Sequence, residues 1–339
     1  MTAPLVTVVV PLYNKASTIA RALQSIRNQT FGNHETIVID DGSSDASADF
    51  ADRFTDDRLR VVRQPNAGPG AARNRGIAEA RGSLLAFLDA DDEWLPNFLE
   101  RSVAMLEHAG RSTASVTSGY VVGPAAQNTQ DFWRRQRLRA EVFRLSSTTS
   151  AVRLATFLRY MNSWSTVIRR ATVEHYGGFY ERHCLYGEDS YLFLKVLLNE
   201  NVLVNLEPLV HWHDEASNLS RNVAGARPIE PMLSDPEPLY AVCPPHLRSV
   251  LDRLLSIRAG KTACMLGFWG HWREARTLLR RFSRLRDIGH RSVLLGHLCA
   301  TPFAGLAASA LRSVPNSVPG PASIGSARWR VKQRDQNDA

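Results

Sequence analysis

Cysteine is scarce in this chain and its few positions do not cluster. Cys184, Cys243, Cys264 and Cys299 form no Cys-x-x-Cys pair. That excludes a thiolate zinc site and a disulfide framework, and it suits a reducing compartment, so the expected location is cytoplasmic. Long apolar runs are also missing near the start. The Val-Thr-Val-Val-Val stretch at 6–10 has no basic segment before it and is too short for a signal peptide or a membrane span. Pro11 and Asn14 interrupt it, so it reads as a first strand. Finally, the larger part of the chain lacks positive charge. The net charge is +8, but Leu251 to Ala339 holds 15 Lys/Arg against 5 Asp/Glu, which leaves about −2 on the first 250 residues. Nucleic acid is therefore not an expected partner of that part.

What the chain does have is a crowd of carboxylates in one place. The run Leu84-Leu-Ala-Phe-Leu-Asp-Ala-Asp-Asp-Glu93 is an apolar strand, buried on both faces by its pattern, with Asp89, Asp91 and Asp92 at its C-terminal end. Like charges that close repel, and the strand below desolvates them, so the cluster is costly unless something positive joins it. A divalent cation with oxygen ligands, Mn or Mg, is the natural candidate. The competing reading is a solvated acidic loop leading into the next helix.

The first hundred residues alternate strand and helix signals. Strands are expected at 6–11, 35–40, 59–63 and 84–89, and helices at 17–29, behind a Ser17/Thr18 cap, at 44–54 and at 70–81. This βαβαβαβ order predicts an α/β fold with a Rossmann-like, doubly wound, mostly parallel sheet. Ligands of such sheets bind at the carboxyl ends of the strands. Those ends carry Pro11-Leu-Tyr-Asn14, Asp40-Asp-Gly42, Gln64-Pro-Asn-Ala-Gly68 and Asp89-Ala-Asp91, so distant polar residues converge on one edge. Residues 110–160 carry no clear pattern. Further on, 163–168 and 206–210 read as strands, Gly177-Gly178 as a turn, and 189–199 as a helix. The expected organisation is a catalytic domain at 1–221, a Pro-rich linker at 222–246, a basic helical appendage at 247–312 and a disordered tail at 313–339.

Four segments in order carry a resemblance: Val6-Thr-Val-Val-Val-Pro-Leu-Tyr-Asn-Lys15, Val38-Ile-Asp-Asp-Gly-Ser-Ser-Asp45, Asn66-Ala-Gly-Pro-Gly-Ala-Ala-Arg-Asn-Arg-Gly76 and Phe87-Leu-Asp-Ala-Asp-Asp92. They are similar to successive motifs of the family-two inverting glycosyltransferases, which have the A-type nucleotide-sugar-binding fold. Tyr186-Gly-Glu-Asp-Ser190 resembles that family's Glu-Asp motif. The resemblance covers roughly residues 5 to 215, and it implies a sugar moved from a nucleoside diphosphate to a hydroxyl acceptor.

The resemblance assigns roles residue by residue. Pro11, Tyr13 and Asp41 would form the base pocket, an aromatic face and an acceptor suiting a pyrimidine imide N–H, hence a UDP-type donor. Asn66 and Arg73 would also contact the donor, Arg73 reaching the diphosphate or base. Asp89 would bond the ribose or order the metal shell, and Asp91 would ligate the metal. Asp189 would be the catalytic base, with Glu188 beside it, although an acidic pair also suits a helix N-terminus for structural reasons. His213 is a candidate for the diphosphate or metal, and Trp164 for stacking on an acceptor sugar, with core roles as the alternatives. One departure is Lys195, where the family usually has Arg. The implied acceptor is a saccharide or lipid-linked sugar in cell-surface polysaccharide or glycolipid synthesis. The arginines from Arg273 to Arg291, beside the apolar stretch Val293 to Leu311, suit peripheral contact of residues 251–339 with an anionic membrane, on the inner face of the cell membrane. Two rival functions are a catalytically degenerate sugar-nucleotide scaffold and an aspartate-nucleophile phosphotransferase. The latter wants its Asp pair at the first strand, not the fourth.

Overall fold

In the computed structural model the described residues are 3–182, 184, 186–215, 227–282 and 291–301. They belong to two compact units, one of Met1–Ser217 with Glu230–Val250, the other of Asn218–Ile229 with Leu251–Ala339.

The first unit begins with the expected alternation: β1 (Val6–Leu12), α1 (Ile19–Arg27), β2 (His34–Asp40), α2 (Ser47–Asp52), β3 (Leu59–Arg63), α3 (Pro69–Glu79) and β4 (Leu84–Phe87). Then follow β5 (Glu93–Trp94), α4 (Phe98–His108), β6 (Thr113–Val122), β7 (Gln127–Asn128), α5 (Gln130–Arg135), β8 (Val142–Phe143), α6 (Ala151–Tyr160), β9 (Thr166–Arg169), α7 (Arg170–His175), α8 (Glu188–Asn199) and β10 (Asn201–Trp212). All strands join one ten-stranded sheet with the path β3-β2-β1-β4-β9-β6-β10-β5, while β7 pairs β6 and β8 pairs β10. Six strands, including all the long ones, run in one direction. Only β9 and the two-residue β5, β7 and β8 oppose them.

The apolar runs account for this. Val6, Val8, Val9 and Val10 are fully buried, as are Ile37, Val38, Ile39 and Leu85 to Leu88, because helices cover both faces of a parallel sheet. Close packing also needs Gly76, since a Cβ there would sit 2.3 Å from Val9 Cγ1. Thr18 stands at the N-cap of α1, but its side chain makes no capping bond there and donates to the Lys15 carbonyl instead.

The Pro-rich stretch is folded where it is described. Pro231 opens α9 (Pro231–Ser234) and Pro238 lies in the first turn of α10 (Glu237–Val242), positions that need no backbone N–H. Met232, Leu233 and Leu239 are completely buried, so residues 230–250 are core-bearing rather than an open connector. α11 (Arg248–Phe268) starts at the end of the first unit, and the second unit contains the rest of it with α12 (Trp272–Arg281) and α13 (Arg291–Cys299). Its helices approach closely at glycines: a Cβ on Gly267 would lie 2.0 Å from the Cys299 carbonyl oxygen. Ala275, Leu278 and Leu279 form the buried face of α12, and its arginines lie opposite. Among the described residues no helix is long and apolar enough to cross a membrane. Much of the expected apolar stretch 293–311 and the tail from 302 onward lie outside the described residues.

Candidate active site

The carboxyl ends of β1 and β2 are tied to the loop before α3 by Asp41, only 3% exposed. Its Oδ1 accepts from Gln64 Nε2 at 2.8 Å and from the Ala67 N–H at 2.9 Å, and its Oδ2 accepts from the Gly68 N–H at 2.8 Å. Asn66 Nδ2 donates to the Asp41 carbonyl at 3.0 Å. Asp41 and Asn66 thus staple this loop to the strand edge. A carboxylate has about four acceptor positions, so Asp41 keeps capacity for one more donor. Asp40 instead accepts from the Ser43 N–H, closing the turn at Gly42. Pro11 lies within β1, and the Tyr13 ring just beyond is 49% exposed, open to stacking.

The glycines of the third motif serve packing. A Cβ on Gly70 would stand 2.1 Å from the Tyr180 carbonyl oxygen, and one on Gly68 would stand 3.3 Å from that of Cys184. The start of α3 therefore lies against the backbone of Tyr180 and Cys184 rather than open to a phosphate. Asn74 latches the adjoining Phe179, donating to its carbonyl and accepting its N–H, both at 2.8 Å. That latch escaped the sequence reading, because its partner lies about a hundred residues away.

At the exit of β4, each carboxylate has found a partner. Asp89 accepts from Arg73 Nη2 at 2.7 Å, Asp91 Oδ2 lies 2.5 Å from Lys15 Nζ, and Asp92 Oδ1 accepts from the His213 N–H at 3.0 Å. Arg21 Nη2 donates to the Asp91 carbonyl at 2.5 Å. Even so, burial, and after it the charge of Asp89, pushes the Asp91 carboxyl above its ordinary range. Asp92, 2% exposed, is pushed well above it by burial and then by Asp89 and Asp91. The expected electrostatic cost is present, and three cationic side chains only partly relieve it.

Arg73 was expected at the diphosphate or base, and its partners are different. It is 4% exposed, donates from Nη1 to Glu188 Oε1 at 2.6 Å as well as to Asp89, and lies over the Phe179 ring at 5.3 Å. Its three acidic neighbours, Asp89, Glu188 and Asp189, hold the guanidinium more firmly charged than usual despite burial. Arg73 thus joins the end of β4 to the start of α8. Gly187, at φ +81, turns the chain into that helix, and Asp189 follows in its first turn. Burial, then the Glu188 charge, raises the Asp189 carboxyl to about 6, against the pull of Arg73. Nearby, burial pushes the Cys184 thiol up to about 11, and it donates to the Tyr186 carbonyl, so it is no nucleophile. Lys195 donates to the Tyr176 carbonyl at 2.9 Å, bracing α8 against α7.

His213 has a neighbourhood the sequence did not reveal. β5 pairs antiparallel with β10 so that Glu93 faces His211, and the His211 and His213 rings stack at 3.9 Å. One ligand atom each from Glu93, His211 and His213 lies within 4.8 Å of the others. His213 Nδ1 is 3.0 Å from Glu215, and His211 Nε2 is 2.8 Å from the Gly123 carbonyl. Such outer contacts orient imidazoles that ligate metals. Glu93, which follows the Asp cluster in sequence, is brought to the histidines by the pairing of β5 with β10. Trp164 follows the core reading: it is 8% exposed, meets Tyr120 edge-on at 4.9 Å, and its carbonyl accepts from Trp94 Nε1.

Comparison with known proteins agrees with this geometry. The chain is 43% identical over 122 residues to EpsH of Bacillus subtilis (strain 168), a match covering 35% of each chain. It is 38% identical over 105 residues to the UDP-Glc:alpha-D-GlcNAc-diphosphoundecaprenol beta-1,3-glucosyltransferase WfgD of Escherichia coli, covering 30% of this chain and 41% of that one. The matched segments thus span only about a third to two fifths of these curated relatives. In fold, residues 1–349 of S. aureus TarS in complex with UDP-GlcNAc superpose with a TM-score of 0.62 at 16% identity, covering 90% of this chain and 91% of that one. Residues 7–175 match the family described as Glycosyl transferase family 2, and through its first unit this protein belongs to that family.

Proposed function

We propose that this protein is an inverting glycosyltransferase that moves a sugar from a nucleoside diphosphate, of UDP type, to a hydroxyl acceptor. The observation that carries the reading is the Asp89–Arg73–Glu188 bridge. It brings Asp189, a carboxylate with a raised pKa, into electrostatic range of the acidic edge at β4. A general base works best when its pKa lies near the working pH. Asp189 takes the proton of the acceptor hydroxyl as that oxygen attacks the anomeric carbon. The bond from that carbon to the diphosphate breaks on the opposite face, which inverts the centre and releases the nucleoside diphosphate.

Tyr13 offers a face for the base and Asp41 an acceptor for its imide N–H. The residues at β4 fit a divalent cation, because Asp91 and Asp92 remain electrostatically strained with their protein partners alone. Asp91 would hold it, while Glu93, His211 and His213 form a separate group of possible ligand atoms of mixed oxygen and nitrogen type. When bound, such an ion supplies positive charge to the departing diphosphate. A saccharide or lipid-linked acceptor in polysaccharide or glycolipid synthesis is supported by the diphosphoundecaprenol-linked acceptor of WfgD.

The test is to incubate the protein with a panel of nucleoside-diphosphate sugars and acceptors, with and without Mn2+, and to read product configuration by NMR. Transfer with inversion is expected. Retention of configuration, or nucleotide binding with no turnover on any acceptor, would overturn the reading.

A further inference from the structure

Lys15 has no part in the mechanism above, yet it occupies the most consequential position at the acidic edge. Its backbone is immobilised. The Lys15 N–H donates to Ser47 Oγ at 2.7 Å, and its carbonyl accepts from the Thr18 and Ile19 N–H groups at 3.0 Å. Just before it, Asn14 turns through φ +51, and its Oδ1 accepts from the Ser44 N–H at 2.8 Å. Only the four-carbon stem is left to move. At its end, Nζ lies 2.5 Å from Asp91 Oδ2, with the two side chains 20% and 13% exposed.

An ammonium and a divalent cation cannot share that carboxylate comfortably, because like charges at a few ångströms repel strongly where water is thin. One must leave, and lysine is suited to leaving: it is a compact point charge on a flexible stem, and an effective phosphate partner without fixed geometry. A diphosphate bound to a cation at Asp91 would lie within reach of the released ammonium.

We propose that Lys15 is the exchangeable occupant of the cation position at Asp91: its ammonium neutralises that carboxylate until a divalent ion arrives, and then moves to the donor's diphosphate. This rests on Asp91 being a metal ligand.

The experiment titrates Mn2+ into the full chain, following free Mn2+ by electron paramagnetic resonance, and separately titrates UDP and uridine with Mn2+ present. Parent, Lys15→Met, Lys15→Gln and Asp91→Ala are compared, each first checked by thermal melting. Without nucleotide, removing the competing ammonium should tighten Mn2+ binding by about threefold or more, as expected for a competing charge next to the ligand. With Mn2+ present, the same variants should bind UDP about tenfold more weakly while uridine binding is unchanged, because only the phosphates lose a partner. Mn2+ binding that is unchanged, weaker or undetectable in the Lys15 variants without nucleotide would overturn the exchange. Equal losses for UDP and uridine would overturn the diphosphate role. If Asp91→Ala binds Mn2+ as tightly as the parent, the metal assignment itself fails and takes this proposal with it.

Discussion

Two acidic regions meet in this protein, and they are compensated in opposite ways. At the exit of β4, Asp89, Asp91 and Asp92 have the cationic partners Arg73, Lys15 and Arg21, yet Asp91 and Asp92 are still pushed up. At the start of α8, Glu188 takes Arg73 directly. Asp189 accepts from the Ser190 N–H at 2.6 Å, and its carboxyl rises to about 6. The first region is a surplus of carboxylates that attracts positive charge. The second pairs Glu188 with Arg73 and leaves its neighbour Asp189 with a carboxyl raised by burial and then by the Glu188 charge.

The sharpest break of this contrast is Asp189→Asn. Transfer should fall by about 100-fold or more, while UDP affinity stays the same, as expected when a general base is removed. Steady-state kinetics beside calorimetry would check it, and near-parent turnover would contradict the assignment. The same variant should have a higher Tm at pH 7.5. The sign follows from proton linkage: the folded pKa lies above the ordinary aspartate value, so between about 4 and 6 the folded state holds more protons than the unfolded state. Stability from this group therefore falls as pH rises through that window. The Tm gap between parent and variant should close as pH drops below about 4.

Asp91→Ala tests the other region. Metal-dependent UDP binding should weaken by more than about tenfold, roughly 1.4 kcal/mol, with the fold retained. Calorimetry with and without Mn2+ reads this directly, and unchanged affinity would separate the metal from the β4 carboxylates.

Arg73→Met should join the two regions' fates. Breaking a buried ion pair from one side typically costs about 3–5 kcal/mol, so denaturant unfolding should show a marked loss. If the variant folds, the acid limb of the pH–rate profile should move above about 6, because Arg73 holds the Asp189 carboxyl down. A limb that stays in place would mean that Asp189 is not the group titrating.

The smallest expected effect concerns the second unit. Each exposed arginine of α12 near an anionic surface adds about 1 kcal/mol, so the full chain should float with anionic vesicles at low salt and dissociate at high salt. No flotation at low salt would leave α12 as a helix without a membrane role.

The half of the sheet from β1 to β4 was readable because its strands are buried on both faces. Each appears as an unbroken apolar run between helix-like segments, so both its type and its edge can be inferred locally. β6 defeated the same reasoning, although it lies in the middle of the path. Its sequence, Thr-Ala-Ser-Val-Thr-Ser-Gly-Tyr-Val-Val, looks like a loop, yet Thr113, Ser115, Thr117 and Ser118 are all buried. Part of that polarity is absorbed across the sheet, where Thr117 Oγ1 meets Thr166 Oγ1 at 2.7 Å and Ser118 Oγ accepts from Asn205. Thr113 Oγ1 instead donates to the Ala109 carbonyl, and Ser115 Oγ is buried without a partner among the described residues. No local pattern announces a partner about fifty or ninety residues away.

The candidate site divides along the same line. The sequence by itself determined which chemical groups lie at the strand ends, because a parallel α/β order sends every strand's carboxyl end to one edge. That order alone put Asp41 and Asp91 at the edge, whereas Asp189 came from the resemblance of its motif and stands at the start of α8. Only the tertiary structure decided what each group is doing there. It turned Arg73 from a donor contact into a buried bridge, put Trp164 into an aromatic core, drew Glu93 to the histidines through the pairing of β5 with β10, and set Lys15 on Asp91. Composition and order specify charges, whereas pKa values and pairings depend on distance and burial, which exist only once the chain has folded.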